Sequence, residues 1–504
     1  MSDAFARVPA LAAQHLLLAM AALALALVIG VPVAIRAARA PRLAGAVLGF
    51  ASLVQTIPSL ALLALFYPAL LWIGHGVPAL GFLPALLALT LYALLPIARN
   101  IVTGLRGLDP AVLEAADGIG MTRAQKLRLV ELPLVLPIAM AGVRTAAVWT
   151  IGAATLSTTV GQPSLGDLIF AGLQTQAWTL VIAGCVGAAG LALGVDLLLG
   201  VAERAAGERR WRRAGAALLL LAAATAAAST PLWRGGGERR AVVGAKNFSE
   251  QYILARLIGD RLTRAGYAVT YRDGLGSAVA FGAVAGGEVD VYVDYAGTIW
   301  TAEMHRADTP PHAEQLSAIA DWVQKSRGVT SLGALGFENA YAFAMRGDDA
   351  QRRGIGTLDD LVRVAPQLRF GADFEFLDRP EWAAIRRAYP LRFASATPYA
   401  PTFMYRALES GRADVISAFS SDGRIAADRL TVLGDPRHAI PGYDAIVLVA
   451  PGHREDARFL DALRPLIGRI PVAAMREANY RVDRDRDKQS PEAAARWLGA
   501  RIGL

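Results

Sequence analysis

The chain has 504 residues, 54% of them hydrophobic, with a mean hydropathy of +0.37 and a formal net charge of +8. The charge is uneven: residues 1–237 hold 16 Lys+Arg against 9 Asp+Glu, and residues 238–504 hold the remaining 35 against 34. A basic excess confined to the apolar half speaks for membrane orientation and against a nucleic-acid surface, so no nucleic-acid partner is expected.

The first apolar run extends from Leu11 to Ile35, longer than the about 7–15 residues of a signal-peptide core, and reads as a first span. Runs of about 20 apolar residues suffice to cross a bilayer as helices. Six are placed, near 11–35, 47–71, 80–103, 135–158, 177–200 and 214–231. Arg36, Arg39 and Arg42 follow the first span, and Arg99, Arg106, Arg123, Lys126 and Arg128 lie around the third connection. Arg204, Arg209, Arg210, Arg212 and Arg213 occupy the fifth, whereas the connections after spans 2 and 4 carry no Lys or Arg. The positive-inside rule therefore puts connections 1–2, 3–4 and 5–6 in the cytoplasm and everything after span 6 outside. Trp72, Trp178, Trp211 and Trp233 fall near span ends, as an interfacial belt requires. The single cysteine, Cys185, is expected to be a small buried apolar residue.

The third connection, 109–133, is charged and two-part. Asp109-Pro110 starts a helix that ends at Gly118 and Gly120, and Thr122 with Gln125 makes a capping box for a second helix over 123–131. Pro133 and Pro137 are expected to bend the chain back into the membrane. Such an insert either lies passively on lipid or offers a grip to a cytoplasmic partner.

A short glycine-rich tether, "RGGGERR" (234–240), precedes a change of pattern. "AVVGAK", "YAVTYRD" and "VDVYVDYAG" read as strands, "SEQYILARLIGDRLTRAG" as an amphipathic helix capped by Ser249, and "SAVAFGAVAGG" as a helix from Ser277. "RFGAD", "RPEWAAIRRAY", "TFMYRALESG", "ADVISAF" and "AIVLVA" continue the alternation. Alternating strands and helices predict an α/β domain with a largely parallel sheet, and its length predicts two lobes.

"EAADGIG" followed by "ELPLVLP" resembles the coupling-loop signature of ABC-importer permeases, in which Glu114, Ala115, Ala116 and Gly120 would dock on an ATP-hydrolysing subunit. "QTIPSLALLALF" (55–66) resembles the second-span segment of permeases that import quaternary ammonium compounds, with Pro58 a tolerated kink. "GAKNFSEQYIL", "DVYVDYAGT", "ENAYAFAM", "FGADFEFLDRPEW", "FMYRALESGRADVISAFSSDGRI" and "PGYDAIVL" are similar, in order, to osmoprotectant-binding proteins, whose ligands include glycine betaine, choline and carnitine, with a related ergothioneine branch. The resemblance implies a type I permease-like, all-α polytopic membrane domain (1–237) followed by an α/β two-lobed binding-protein-like domain (238–504), as permease–binding-protein fusions have.

It also implies an aromatic cage for a trimethylammonium group at Tyr295, Tyr341, Phe419 and Tyr443, where family members often have Tyr at the third position. Cation–π attraction is the relevant force, since such a group has no hydrogen-bond donor. Gln251 and Thr298 match positions that hold a ligand carboxylate, and Arg379 is a further candidate; without the motif context the aromatics would read as core. "DYAGT" departs from the common E-Y-T-G-T, so Asp294 and Ala296 put the ligand within the class in question.

The expectation is the membrane subunit of an importer in the cell (inner) membrane, a homodimer lodged in the lipid bilayer, taking a small trimethylammonium ligand and powered by a separate ABC ATPase subunit. No cofactor is expected in this chain, ATP being used by the partner: no G-x-x-x-x-G-K-[ST] occurs, and none of the four lysines follows a glycine. H-E-x-x-H and G-x-S-x-G are absent, and the six histidines have no metal-ligand spacing, so neither an enzyme nor a metal site is expected. A ligand-sensing receptor is the rival from another class; one or two spans and an output domain would suit it better.

Overall fold

The computed structural model describes residues 5–73, 77–175, 177–208, 210–233, 239–374, 376–399, 401–484 and 486–504. His75 and most of the tether lie outside these. The chain divides into two compact units, one of residues 1–170 and 179–237 and the other of residues 171–178 and 238–504.

The first unit is all helical. Helices α1 (Val8–Ala38), α2 (Pro41–Thr56), α3 (Ser59–Ile73) and α4 (Phe82–Arg106) precede the two-part connection, formed by α5 (Pro110–Gly118) and α6 (Arg123–Lys126). Helices α7 (Leu132–Ala154), α8 (Gly166–Gln174), α9 (Trp178–Gly207) and α10 (Trp211–Trp233) follow. The α4–α7 contact depends on missing side chains: a Cβ at Gly142 would lie 2.7 Å from the Pro96 carbonyl oxygen, and one at Gly104 would lie 2.7 Å from Val135 Cγ1. Small residues at such contacts let membrane helices approach closely where dispersion supplies much of the attraction. Buried His15 joins three elements, donating from Nε2 to the Ile151 carbonyl (2.8 Å) and accepting the Leu165 amide on Nδ1 (3.3 Å). Arg144 on α7 pairs with Asp196 (2.9 Å) and Glu203 (2.8 Å) on α9.

Four expectations change here. Among the described residues, four helical runs are long and apolar enough to cross a membrane: Val8–Ala38, Phe82–Arg106, Arg123–Val160 and Trp178–Gly207. A fifth exists if the bent pair Pro41–Thr56 and Ser59–Leu70 counts as one span; the bend is 101°, so Pro58 is a break and not a kink. Ile57, directly before that proline, is extended (φ −74°, ψ 126°), because the proline ring disfavours a helical conformation in its predecessor. The predicted sixth span lies in α10, whose first turn holds Arg212 and Arg213.

Pro133 and Pro137 do not turn the chain. The run continues from Arg123 through a π-helical turn, Leu127–Glu131, in which the Leu132 amide donates to the Leu127 carbonyl. Pro133 has no N–H for an ordinary α-helical bond, and the wider register accommodates the missing donor. Cys185 is exposed on α9, not buried, since a membrane helix can turn an apolar side chain to hydrocarbon without cost. Trp72, Trp178 and Trp211 are also exposed.

The corner between α5 and α6 is as expected. Asp109 accepts the Ala111 amide (2.9 Å), the Thr122–Gln125 capping box is complete, and Gly120 has φ +78°. Lys126 reaches across the corner to Asp117 (2.6 Å). Glu114, Ala115 and Gly120 are exposed and Ala116 is buried; Ile119 and Leu129 leave apolar surface open beside them.

The second unit has two lobes, each on a five-stranded sheet. Strands β1 (Arg240–Lys246), β2 (Ala268–Leu275), β3 (Val291–Tyr295) and β4 (Thr330–Glu338) belong to the first lobe. Strands β5 (Tyr341–Arg346), β6 (Arg369–Asp373), β7 (Ser395–Tyr399), β8 (Val415–Phe419) and β9 (Leu430–Leu433) form the second, after which β10 (Asp444–Val449) returns. The orders are β2-β1-β3-β10-β4 and β7-β6-β8-β5-β9. Neither sheet is largely parallel: β1 runs parallel to β2 and β3, while β10 is antiparallel to β3 and β4, and β5 to β8 and β9. The chain enters the second lobe along β5 and leaves it for β10, and these two crossing strands run against their neighbours.

Ser249 does not cap the helix Ser249–Arg264. Its N-cap is Phe248, without a side-chain bond, and the Ser249 hydroxyl donates to Asp483 (2.5 Å).

Candidate ligand-binding site

The strand ends at the crossing create the site. Tyr295 is the last residue of β3, Tyr341 the first of β5, Phe419 the last of β8, and Tyr443 immediately precedes β10. Tyr341 and Phe419 are register partners in the antiparallel ladder, which sets their rings 5.0 Å apart. Tyr443 meets the Tyr341 ring edge-on at 6.0 Å and 84°. Tyr295 instead stacks on Phe248, at 6.1 Å. Three expected cage rings thus form one cluster, with the fourth on another wall of the same cavity, whose volume is about 330 Å³.

Thr298 and Arg379 also line this cavity. The Arg379 guanidinium carbon lies 5.5 Å from the Tyr341 ring centre and its Nε donates to Glu381 (3.2 Å). Gln251 does not line it. Fully buried, it donates to the Val293 carbonyl and to the Tyr295 hydroxyl, each at 3.0 Å, so it holds the Tyr295 ring from behind the cavity lining. Asp294 likewise does not line the cavity: it is buried in an ion pair with Lys246 and accepts the Tyr295 amide (2.7 Å).

Several site residues were not singled out from the sequence; Glu250, Glu381 and Asp422 fall inside the quoted motifs, and Asp483 lies outside them. Glu381 in "FLDRPEW" is a buried hub that accepts from the Tyr443 hydroxyl, from Thr301 (2.8 Å) and from Arg379. Burial alone would raise its pKa, but Arg379 and the two hydroxyls hold it below the usual carboxylate range. Glu250 in "NFSEQ" accepts from Tyr295 (2.7 Å), Asn339 (3.0 Å) and Asn479 (2.8 Å), with burial pushing its pKa up. Asp422 and Asp483 line the same cavity as Glu250, so its surface carries a group of carboxylates as well as the aromatic rings. The signal missed was the acid inside an aromatic motif, whose partners come from distant segments.

A helical unit with membrane-length helices followed by a two-lobed α/β unit with an interlobe cavity defines a class: a transport permease joined to a ligand-capture domain. Comparison with known proteins agrees. Residues 240–500 match the family profile of the substrate binding domain of the ABC-type glycine betaine transport system. Residues 26–208 match the binding-protein-dependent transport system inner membrane component. The chain is 30% identical over 498 residues to the ergothioneine transport permease/ergothioneine binding protein of Helicobacter pylori (strain G27), covering 95% of this chain and 88% of that protein. It is 43% identical over 191 residues to a glycine betaine/carnitine/choline transport system permease of Bacillus subtilis (strain 168), covering 38% and 84%. The crystal structure of a glycine betaine/carnitine/choline ABC transporter aligns at 25% identity and a TM-score of 0.47, covering 52% of this chain and 98% of that one. The chain belongs to the family of ABC-importer permeases fused to their substrate-binding domain.

Asp483 offers a test of the carboxylate wall. Burial, and then the neighbouring Asp422 charge, push its pKa up to about 7, while the Ser249 hydroxyl pulls it down. An unfolded Asp titrates at about 3.9. Between these values the folded state binds the extra proton, so this group's contribution to stability falls as pH rises from about 4 to about 7. Thermal unfolding of the detergent-solubilised protein should show a smaller loss of stability between pH 5 and 8 in Asp483→Asn than in the parent.

Proposed function

We propose that the chain is the membrane and capture subunit of an ATP-driven importer for a small trimethylammonium compound. The observation that carries the reading is the ring cluster of Tyr341, Phe419 and Tyr443 on a cavity of about 330 Å³. Ring faces attract a cation that cannot donate a hydrogen bond, by about 0.5–2 kcal/mol each, and aliphatic methyl groups gain apolar contact as well. Arg379, on the edge of the cluster, is the group to receive a ligand carboxylate, and Thr298 offers a hydroxyl. Two copies form the translocation path, and a separate ATPase subunit docks on the α5–α6 corner, gripping Glu114, Ala115 and the apolar surface of Ile119 and Leu129. The chain itself needs no cofactor.

Within the class, the carboxylates that line the same cavity favour a ligand that also carries N–H donors. Glycine betaine, choline and carnitine have none; ergothioneine, the substrate named for the relative aligned along 95% of this chain, has them on its ring. Glu250, Asp422 and Asp483 would accept those donors.

Calorimetric titration of the full chain in detergent with ergothioneine, glycine betaine, choline and carnitine tests both levels. Tyr341→Ala or Tyr443→Ala should weaken trimethylammonium binding by about ten- to a hundredfold, one to two steps of 1.4 kcal/mol. Tyr→Phe at either position should cost much less. Asp422→Asn should weaken ergothioneine more than choline. Alanine variants that fold and bind as tightly as the parent would return the rings to the core.

The arginine distribution puts the α5–α6 corner in the cytoplasm and the second unit outside. In a Cys185→Ala background, Lys325→Cys should react with an impermeant thiol reagent in intact cells, and Gln125→Cys should not. The opposite pattern would reverse the orientation.

Gly120→Val tests the corner. Nothing lies within 4 Å of an added Cβ, so the substitution acts through backbone strain at φ +78°, on the order of 1–3 kcal/mol. Co-purification of the ATPase subunit and transport should both drop, with ligand affinity unchanged. Normal transport would make the corner a passive lipid-surface segment.

A further inference from the structure

We propose that the hinge side of the capture domain holds a Zn²⁺-type transition-metal site built from His312, Glu338 and Asp444. The three offer ligand atoms that all lie within 4.8 Å of one another. His312 Nδ1 is 3.0 Å from Asp444 Oδ2 and 3.7 Å from Glu338 Oε1. Ligand atoms about 2.0–2.1 Å from a tetrahedral metal stand about 3.3 Å apart, and these two separations bracket that value. One imidazole and two hard carboxylates form a mixed N/O donor set that Zn²⁺ accepts, leaving a fourth position for water.

The paired carboxylates favour a cation between them. Asp444 and Glu338 are register partners across the β10–β4 ladder, and like charges directly opposite one another are destabilising. A single imidazole leaves the cluster net negative whether or not it is protonated.

Two buried acceptor atoms, one in the cluster and one on the helix that carries His312, have no hydrogen-bond donor. Asp444 Oδ2 accepts no hydrogen bond even with the imidazole nitrogen 3.0 Å away. Gln315, one turn along the helix that His312 opens (His312–Arg327), is fully buried, and its Oε1 has no donor. That oxygen and His312 Nε2 lie 2.8 and 2.9 Å from the point where a Cβ on Gly442 would stand, so both crowd the strand entry. A histidine that ligates through Nδ1 carries its proton on Nε2, the nitrogen on the side of the Gln315 oxygen, and an outer-shell acceptor of that kind orients ligating imidazoles.

The place has a consequence for the capture site. Glu338 ends the strand that leaves the first lobe, and Asp444 begins the one that returns to it. The second oxygen of Glu338 accepts the Tyr443 amide (3.3 Å), so a cation held here would brace a cage residue through one carboxylate. The separation of positions 312, 338 and 444 along the chain hid this grouping from motif spacing.

The test is a Zn²⁺ titration by calorimetry of the tag-free full chain in detergent, stripped beforehand with chelator. One equivalent should bind, and the melting temperature should rise with it. His312→Asn, Asp444→Asn and the isosteric Glu338→Gln, each checked for fold by circular dichroism, should each weaken binding by about tenfold or more. Absence of stoichiometric Zn²⁺ binding in the parent would overturn the site. So would affinity equal to the parent's in any folded variant, or a preference for Ca²⁺ over Zn²⁺.

Discussion

The double crossing of the chain between the two lobes is the constraint on which the capture domain depends. The polypeptide passes from β4 to β5 through only Asn339 and Ala340, and returns ahead of β10 at Tyr443. Backbone bonds clamp this point: the Asn339 amide donates to the Tyr443 carbonyl (3.0 Å), and the Ser420 amide to the Ala340 carbonyl (2.9 Å). Side chains at strand ends on the two sides of the clamp then meet whether or not they are near in sequence. The ring cluster, the Glu381 hub and the Glu338–Asp444 pair all arise there.

Polar groups in this region are satisfied largely by one another. Glu250 collects a tyrosine and two asparagines, and Glu381 an arginine and two hydroxyls. Buried polar groups of this kind are costly unless paired, so such networks fix side chains in one arrangement. That fixity lets ring faces be held open toward a cavity instead of collapsing into core. Gly297 contributes by its lack of a side chain, since a Cβ there would lie 2.2 Å from the Tyr443 ring.

In the membrane unit the organising force differs. Apolar surface need not be hidden within the chain, so Cys185, Trp149 and Leu193 face outward while glycines occupy the contacts. This is why burial at Cys185 could not be inferred from its apolar surroundings. The 101° break at Pro58 and the π turn before Pro133 show the two things a proline can do: in one case its predecessor leaves the helix, in the other the helix widens its register.

The sequence by itself determined the helical membrane half, the alternating α/β half, the capping box and glycine corner at 118–125, and the ring types that line the cavity. Each of these follows from local periodicity, local caps or ordered motifs, which are properties of neighbouring residues. Only the tertiary structure decided that both sheets are mixed, that Gln251 bonds the Tyr295 hydroxyl, that Ser249 serves Asp483, and that carboxylates line the same cavity as the rings. Those facts depend on which distant segments share a sheet or a wall. Residues 251 and 295 become neighbours because β1 and β3 share a sheet, and 249 and 483 because the helices that carry them pack together; no local pattern encodes the direction in which a buried side chain then finds its partner.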